Sequence, residues 1–228
     1  MFITFEGPEG SGKSTQLVLL AAWMRGLGQD VLTTREPGGT AIGDRVRAIL
    51  LDPACGEMQA EAEVLLFSAA RAQHVSQVIR PHLARGGAVL CDRYADSTLA
   101  YQGYGRGLDL ATLGVITAFA TGGLRPDLVV YLDIDAQVGL RRKQLHANDD
   151  ASQWNRMEQE TLAYHQRVRA GYVQMAAAEP GRWLLVDAAQ AVDAVQAVLR
   201  AQVVTWLGLD AAPTNSFGGG ATHGQGAP

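Results

Sequence analysis

The sequence predicts an α/β fold: a five-stranded parallel sheet with helices on both faces. Three observations carry this. Five short apolar runs alternate with stretches of helical spacing. The runs are continuously apolar, as strands covered on both faces are. Polar chemistry follows the first three of them, where open parallel sheets bind their ligands.

Phe2–Glu6 is the first strand and runs straight into glycine. Lys13–Leu27 is a helix that can turn Leu17, Leu20, Ala21 and Met24 to one face, and Val31–Thr34 is the second strand. Ala41–Leu51 and a long Glu61–Ala84 read as helices, followed by the strand Ala88–Cys91, closed by Asp92. Asp109–Ala120 is helical, and Leu128–Leu132, introduced by Pro126, is the fourth strand. Gln137–Leu145 and Met157–Ala178 read as helices around an exposed polar loop, His146–Gln153. Trp183–Val186 and Val192–Leu207 supply the last strand and helix. One domain over residues 1–208 is expected, with a disordered tail over 209–228, because Ala211–Pro228 is rich in Gly, Ala and Pro without periodicity.

The chain has 228 residues, 47% of them hydrophobic, enough for one large core. A net charge of -4 argues against nucleic acid as the partner. No apolar run reaches the ~18–20 residues of a membrane span, and Met1–Phe5 lacks the basic start of a secretory signal. Cys55 and Cys91 have no metal-ligand spacing, which fits reduced thiols and a cytoplasmic protein.

Gly7-Pro8-Glu9-Gly10-Ser11-Gly12-Lys13-Ser14, followed by Thr15, fits the phosphate-loop pattern G-x-x-x-x-G-K-[ST], between a strand and a helix as it must be. Glycines let consecutive N–H groups turn inward around phosphate, and the helix adds its positive end. Lys13 then reaches the β- and γ-phosphates of a bound nucleotide, and Ser14 offers its hydroxyl to Mg²⁺. This makes the fold one of P-loop NTPase type. A GTPase-type switch would need an N-K-x-D string, and none occurs.

Asp92 at a strand end is a second candidate for Mg²⁺, and Arg93 beside it offers bidentate contacts to a second phosphate. The alternative is a structural Asp–Arg pair. Phe67 and Arg71 are four apart and share a helix face, where they suit a stacked base read at its edge. Spacing alone favours the plainer arrangement, Phe67 in the core and Arg71 reaching solvent. Ser97, Thr98, Tyr101 and Gln102 bring further hydrogen-bonding groups.

These strings resemble the bacterial thymidylate kinase family: Phe5-Glu6-Gly7 through Thr15, Thr34-Arg35-Glu36-Pro37-Gly38-Gly39-Thr40, Leu65-Leu66-Phe67-Ser68-Ala69-Ala70-Arg71, Asp92-Arg93-Tyr94 with Tyr101-Gln102-Gly103, and Arg125-Pro126-Asp127. The resemblance implies transfer of a phosphoryl group from ATP to dTMP with Mg²⁺, in a homodimer. It implies that Phe67 stacks on thymine and Arg71 bonds its carbonyl edge, that Arg93 and Arg47 hold the dTMP phosphate, and that Glu9 approaches the sugar 3′-hydroxyl. Pro37 would shape the pocket, Thr98 and Gln102 would line it, and Tyr101 would crowd the 2′ position. Another nucleotide kinase on the same scaffold, or a weakly catalytic P-loop binding protein, are the alternatives.

Some members of that family carry an arginine within the phosphate loop. Here the variable positions are Pro8, Glu9, Gly10 and Ser11, so the chain resembles the branch that brings its arginine on a short mobile lid, at about 141–156. Arg142 is the first candidate for the charge-stabilising residue and Arg156 the second. The lid departs from the family pattern in having only Arg141, Arg142 and Lys143 clustered, an acidic Asn148-Asp149-Asp150, and Asn155 where aspartate is usual.

Overall fold

The structure, a computed structural model, describes residues 1–147 and 155–207. The tail expected over 209–228 and most of the polar loop within the lid lie outside the described residues.

Five strands, β1 (Phe2–Glu6), β2 (Val31–Arg35), β3 (Ala88–Asp92), β4 (Leu128–Asp133) and β5 (Trp183–Asp187), form one parallel sheet in the order β2-β3-β1-β4-β5. The chain leaves β1 toward β2 on one side, then leaves β3 toward β4 on the other. The connections therefore diverge between β1 and β3, which opens a crevice at their carboxyl ends. The register pairs Phe5 with Asp92, so the two ends lie level.

Strand alternation decides which side chains enter which layer. Ile3 and Phe5 pack with Leu17, Leu20 and Met24 of α1 (Lys13–Gly26) and Val195 and Leu199 of α9 (Val192–Trp206). Phe2 packs on the opposite face with Val75, Ile79 and Tyr94. Glu6, four residues on from Phe2, shares that opposite face and is fully buried.

The second layer contains α2 (Ala41–Leu51), α3 (Ala60–His74), α4 (Arg80–Ala84), α5 (Ala95–Thr98), α6 (Leu110–Thr121), α7 (Ala136–Ala147) and α8 (Leu162–Ala178), with a short 3₁₀ turn at Pro53–Cys55. Two sequence expectations need correction here. The long helix expected over Glu61–Ala84 is interrupted by a π-helical turn, Val75–Ile79, just before Pro81, which has no N–H to give the helical ladder. The helix expected from Met157 begins at Leu162, because Thr161 caps it by accepting from the Tyr164 N–H. Residues 156–159 form a turn instead, tied at its start by Asn155, whose Oδ1 accepts from the Met157 N–H. A further π-helical stretch, Leu99–Gly105, continues α5 and was not legible as helix.

The first turn of α7 lies directly on the phosphate loop. A Cβ added to Gly10 would sit 2.1 Å from the Gly139 carbonyl oxygen, and one added to Gly139 would sit 2.3 Å from that of Glu9. Both contacts are with backbone, so neither can be relieved by a rotamer change. Gly139→Ala is therefore expected to destabilise the fold by about 1–3 kcal/mol in urea unfolding. Gly114→Ala, in α6 with open space around its Cβ, should leave stability unchanged or raise it slightly.

Candidate active site

Gly7, Gly10 and Gly12 hold positive φ angles of 148°, 70° and 87°, which wrap the loop ahead of α1. Gly12 starts the helix without a side-chain cap, leaving its first N–H groups for an anion. The Lys13 ammonium donates to the Gly7 and Pro8 carbonyls at 3.1 and 3.0 Å. Burial first, and Arg93 second, depress its pKa to about 8, with Glu9 opposing. The Ser14 hydroxyl donates to Asp92 Oδ2 at 2.6 Å, so two hard oxygen ligands from β1's loop and β3's end stand together.

Beside them a cavity of about 740 Å³ opens over the β1–β3 crevice, within the range of small-molecule sites. Glu9, Lys13, Ser14 and Asp92 line its donor end; Pro37, Arg47, Phe67, Arg71, Arg93, Thr98, Tyr101 and Gln102 line the remainder. The sequence candidates for the acceptor side thus share one chamber.

Their partners show how each is held. Arg71 is 2% exposed, which excludes a side chain reaching solvent. It donates through Nε to Glu36 Oε2 at 2.7 Å, to Thr98 Oγ1 at 2.9 Å and to the Tyr94 carbonyl at 3.0 Å. Three of the five guanidinium N–H groups are used, which leaves two for a ligand. Glu36 also contacts His74 Nδ1 at 3.2 Å, and His74 Nε2 meets the Thr34 hydroxyl at 2.7 Å. Glu36 is thus the residue that fixes Arg71, a role its place in the R-E-P-G-G string did not disclose. Arg47 donates to the Pro37 carbonyl at 2.9 Å, and Gln102 gives its amide N–H to Glu63 at 2.7 Å.

Arg93 has φ 66°, an uncommon conformation for a side-chain-bearing residue. Its backbone N–H donates to the Phe5 carbonyl at 2.9 Å and its own carbonyl accepts from the Cys91 thiol at 3.0 Å, so neighbouring strands hold the turn. The guanidinium lies 4.8 Å from the Tyr101 ring centroid and donates to Glu9 Oε1 at 2.5 Å. Tyr101 donates to the same oxygen at 3.0 Å. Burial works against ionising Glu9, but Arg93 and then Lys13 outweigh it and bring its pKa down to about 2.

The lid side differs from expectation. Arg142 donates to the Ala188 carbonyl at 2.9 Å and lines a separate cavity of about 100 Å³ with Ser11, Gly12, Thr15 and Gln190, behind the phosphate loop. Arg156 is buried and engages Glu63 and the Leu50 carbonyl. Neither guanidinium lines the main cavity. Lys143 does, 3.8 Å from Glu158. The cause is helical geometry: Lys143 is four residues after Gly139 and shares the face that touches the phosphate loop. That relation was readable only with the Gly139 contact in hand.

Fold and site together define a P-loop nucleotide-binding protein with a second, arginine-lined chamber beside the phosphate loop. Comparison with known proteins then identifies the family. The family model described as thymidylate kinase matches residues 5–199. The chain is 57% identical over 216 residues to a thymidylate kinase of Roseiflexus sp. (strain RS-1), covering 91% of this chain and 95% of that protein. It is 53% identical over 203 residues to a thymidylate kinase of Deinococcus radiodurans, with 89% and 96% covered. A crystal structure of thymidylate kinase from Ehrlichia chaffeensis superposes with a TM-score of 0.71 at 31% identity, covering 89% of this chain and 98% of that one. The chain belongs to the thymidylate kinase family.

The buried carboxyl of Glu6 makes a prediction about stability. Burial raises its pKa from 4.5 to about 7, against the pull of Arg93. A pKa raised on folding stabilises fully below the unfolded value and loses that contribution as pH climbs through the folded one. The stability of the native protein relative to Glu6→Gln should therefore fall by about 3 kcal/mol between pH 4.5 and 8, read by urea unfolding at each pH. A flat difference would show that Glu6 does not titrate in this way.

Proposed function

We propose that this chain is an ATP-dependent dTMP kinase, transferring the γ-phosphoryl group of ATP directly to dTMP to give ADP and dTDP. The observation that carries the reading is the single chamber that joins the Lys13 phosphate loop to Arg71, Phe67 and Arg93. Membership in the thymidylate kinase family supports the choice of substrate.

Each residue then has a task. The N–H groups of Gly7–Thr15 and the Lys13 ammonium bind the ATP phosphates. Ser14 and Asp92 fit a Mg²⁺ ion, which when bound neutralises phosphate charge. Phe67 stacks on thymine, and the two remaining N–H groups of Arg71 read its edge. Arg93 and Arg47 receive the dTMP phosphate. Glu9, ionised throughout the physiological range, stands at the sugar 3′-hydroxyl beside Tyr101. Transfer needs alignment and charge neutralisation, with no covalent intermediate. Lys143, on the face of α7 that meets the loop, supplies the lid's charge; Arg142, behind the loop, contacts the ATP side away from the transferred group.

The working form is a homodimer. The support is an apolar surface on two helices that pack against each other: Leu65 of α3 is 60% exposed, and Val115 and Phe119 of α6 are 72% and 89% exposed. Large apolar side chains left exposed on two neighbouring helices support an association surface. Sedimentation should give a dimer, and Phe119→Glu should shift it toward monomer. The compartment is the cytoplasm, which suits the free thiols of Cys55 and Cys91. Among the described residues no helix is long and apolar enough to cross a membrane.

ADP release with Mg²⁺ and separate dTMP, dUMP, UMP, CMP, AMP and GMP tests the function. Release should be strongest with dTMP, with dTDP as product; strong preference for another nucleotide would discard the thymine pocket. In the same assay Lys143→Ala should lower kcat by about 10²-fold or more. Arg142→Ala should chiefly raise KM for ATP, and Arg156→Ala should lower stability more than turnover. A larger kcat loss in Arg156→Ala than in Lys143→Ala would return the lid role to the arginine.

A further inference from the structure

Glu6 does not line the cavity, yet it is the carboxylate that the rest of the Arg93 surroundings converge on. Its Oε1 accepts from the Tyr94 backbone N–H at 2.8 Å. Its Oε2 accepts from the Ser97 hydroxyl and from the Tyr172 hydroxyl, each at 2.6 Å. The same two hydroxyl oxygens stand 3.4 Å from Arg93 Nη1. A guanidinium can only donate, so both hydroxyls accept from Arg93; their own protons go to Glu6 or, across the 2.9 Å between the two oxygens, from one hydroxyl to the other.

We infer that Glu6 is a positioning residue for the acceptor phosphate: by taking the protons of Ser97 and Tyr172 it turns their lone pairs to Arg93 and fixes the guanidinium toward the cavity. This rests on the reading that Arg93 receives the dTMP phosphate. A hydroxyl carries one proton and can direct it to only one partner. If Glu6 holds both, Ser97 and Tyr172 act toward Arg93 purely as acceptors. Glu9 holds the other end of the guanidinium at Nη2. Arg93 is then fixed at two nitrogens, and its aromatic neighbour Tyr101 covers its face. Order at a binding side chain before the ligand arrives removes an entropic cost of binding.

The substitution Glu6→Gln tests this because it keeps shape but cannot keep polarity. If the amide oxygen serves the Tyr94 N–H, the NH₂ faces the two hydroxyls and forces them to accept, pushing their protons toward Arg93. If the amide is reversed, NH₂ opposes the Tyr94 N–H. Either way one side fails.

Titration calorimetry at pH 8.5, where Glu6 is ionised even though burial raises its pKa to about 7, with two probes, dTMP and thymidine, separates positioning from general damage, since thymidine lacks the phosphate. Glu6→Gln should weaken dTMP by about tenfold and thymidine by less than about twofold. Arg93→Ala should also weaken dTMP selectively, and adding Glu6→Gln to it should cost little more, because the effect passes through Arg93. Equal weakening of both probes by Glu6→Gln, no weakening of either, or a full further tenfold loss in the Arg93→Ala background would each overturn the inference. Unchanged dTMP binding in Arg93→Ala would instead show that the phosphate reading fails, and the inference with it. Should Glu6→Gln not fold, Tyr172→Phe removes one hydroxyl and keeps the ring. It should weaken dTMP alone by about threefold; equal loss for thymidine, or none for either probe, would overturn the inference.

Discussion

A guanidinium withdrawn from water must find anions or aromatic faces, and the crevice between β1 and β3 is arranged around one that finds both. Arg93 follows β3 directly, in a backbone conformation that turns its side chain back over β1. Two carboxylates from the β1 side answer it, Glu9 by direct contact and Glu6 through hydroxyls. An uncompensated buried charge costs several kcal/mol, so neither carboxylate can be removed without disturbing the guanidinium. The level ends of β1 and β3 make the arrangement possible, because the Phe5–Asp92 pairing sets Glu6 and Arg93 one residue beyond the register on adjacent strands.

The same logic recurs around the chamber. Arg71 is buried against Glu36 and Arg156 against Glu63, which also pairs with the half-buried Arg106. Glu63 also holds Gln102. Each carboxylate stands behind a side chain that faces or adjoins the cavity and fixes its direction. The acceptor pocket is thus lined by groups whose own hydrogen bonds are largely committed, as a site selective for one planar ligand requires. The Arg156 contact with Glu63 ties the end of the lid to α3, the helix that carries Phe67 and Arg71.

How much of this was legible in the sequence follows from what was local. The phosphate loop, the five strands and the grouping of Phe67 with Arg71 depend on spacing within one element, and spacing is visible in a sequence. The acceptor residues were legible as a group only through resemblance, because Pro37, Arg47, Phe67 and Arg93 come from separate elements. What escaped was relational. Glu36 and Glu6 look like strand-end residues until the structure sets Arg71 and Arg93 against them. Lys143 does not stand out from Arg141 and Arg142 because nothing in the sequence says which face of α7 meets the loop; the close contact of Gly139 with Gly10 decides it. The start of α8 is not visible in the pattern because Thr161, the residue that caps it, lies within a run of helical spacing that begins at Met157.

Glu9 links these two halves. It belongs to the phosphate loop by sequence and to the acceptor chamber by contact, with Arg93 and Tyr101 on its carboxylate and Lys13 close enough to help lower its pKa. A negative charge between Lys13 and Arg93 reduces the repulsion that two buried cations would otherwise feel, and Arg93 is indeed among the causes that depress the Lys13 pKa. Two phosphates brought into the chamber would face the same problem with the sign reversed, and on the proposed reading Lys13 and Arg93 meet that charge. A donor loop and an acceptor arginine that share one carboxylate are therefore fixed in distance from each other before either substrate arrives. For in-line transfer between two bound phosphates, that fixed distance is the main thing a protein has to provide.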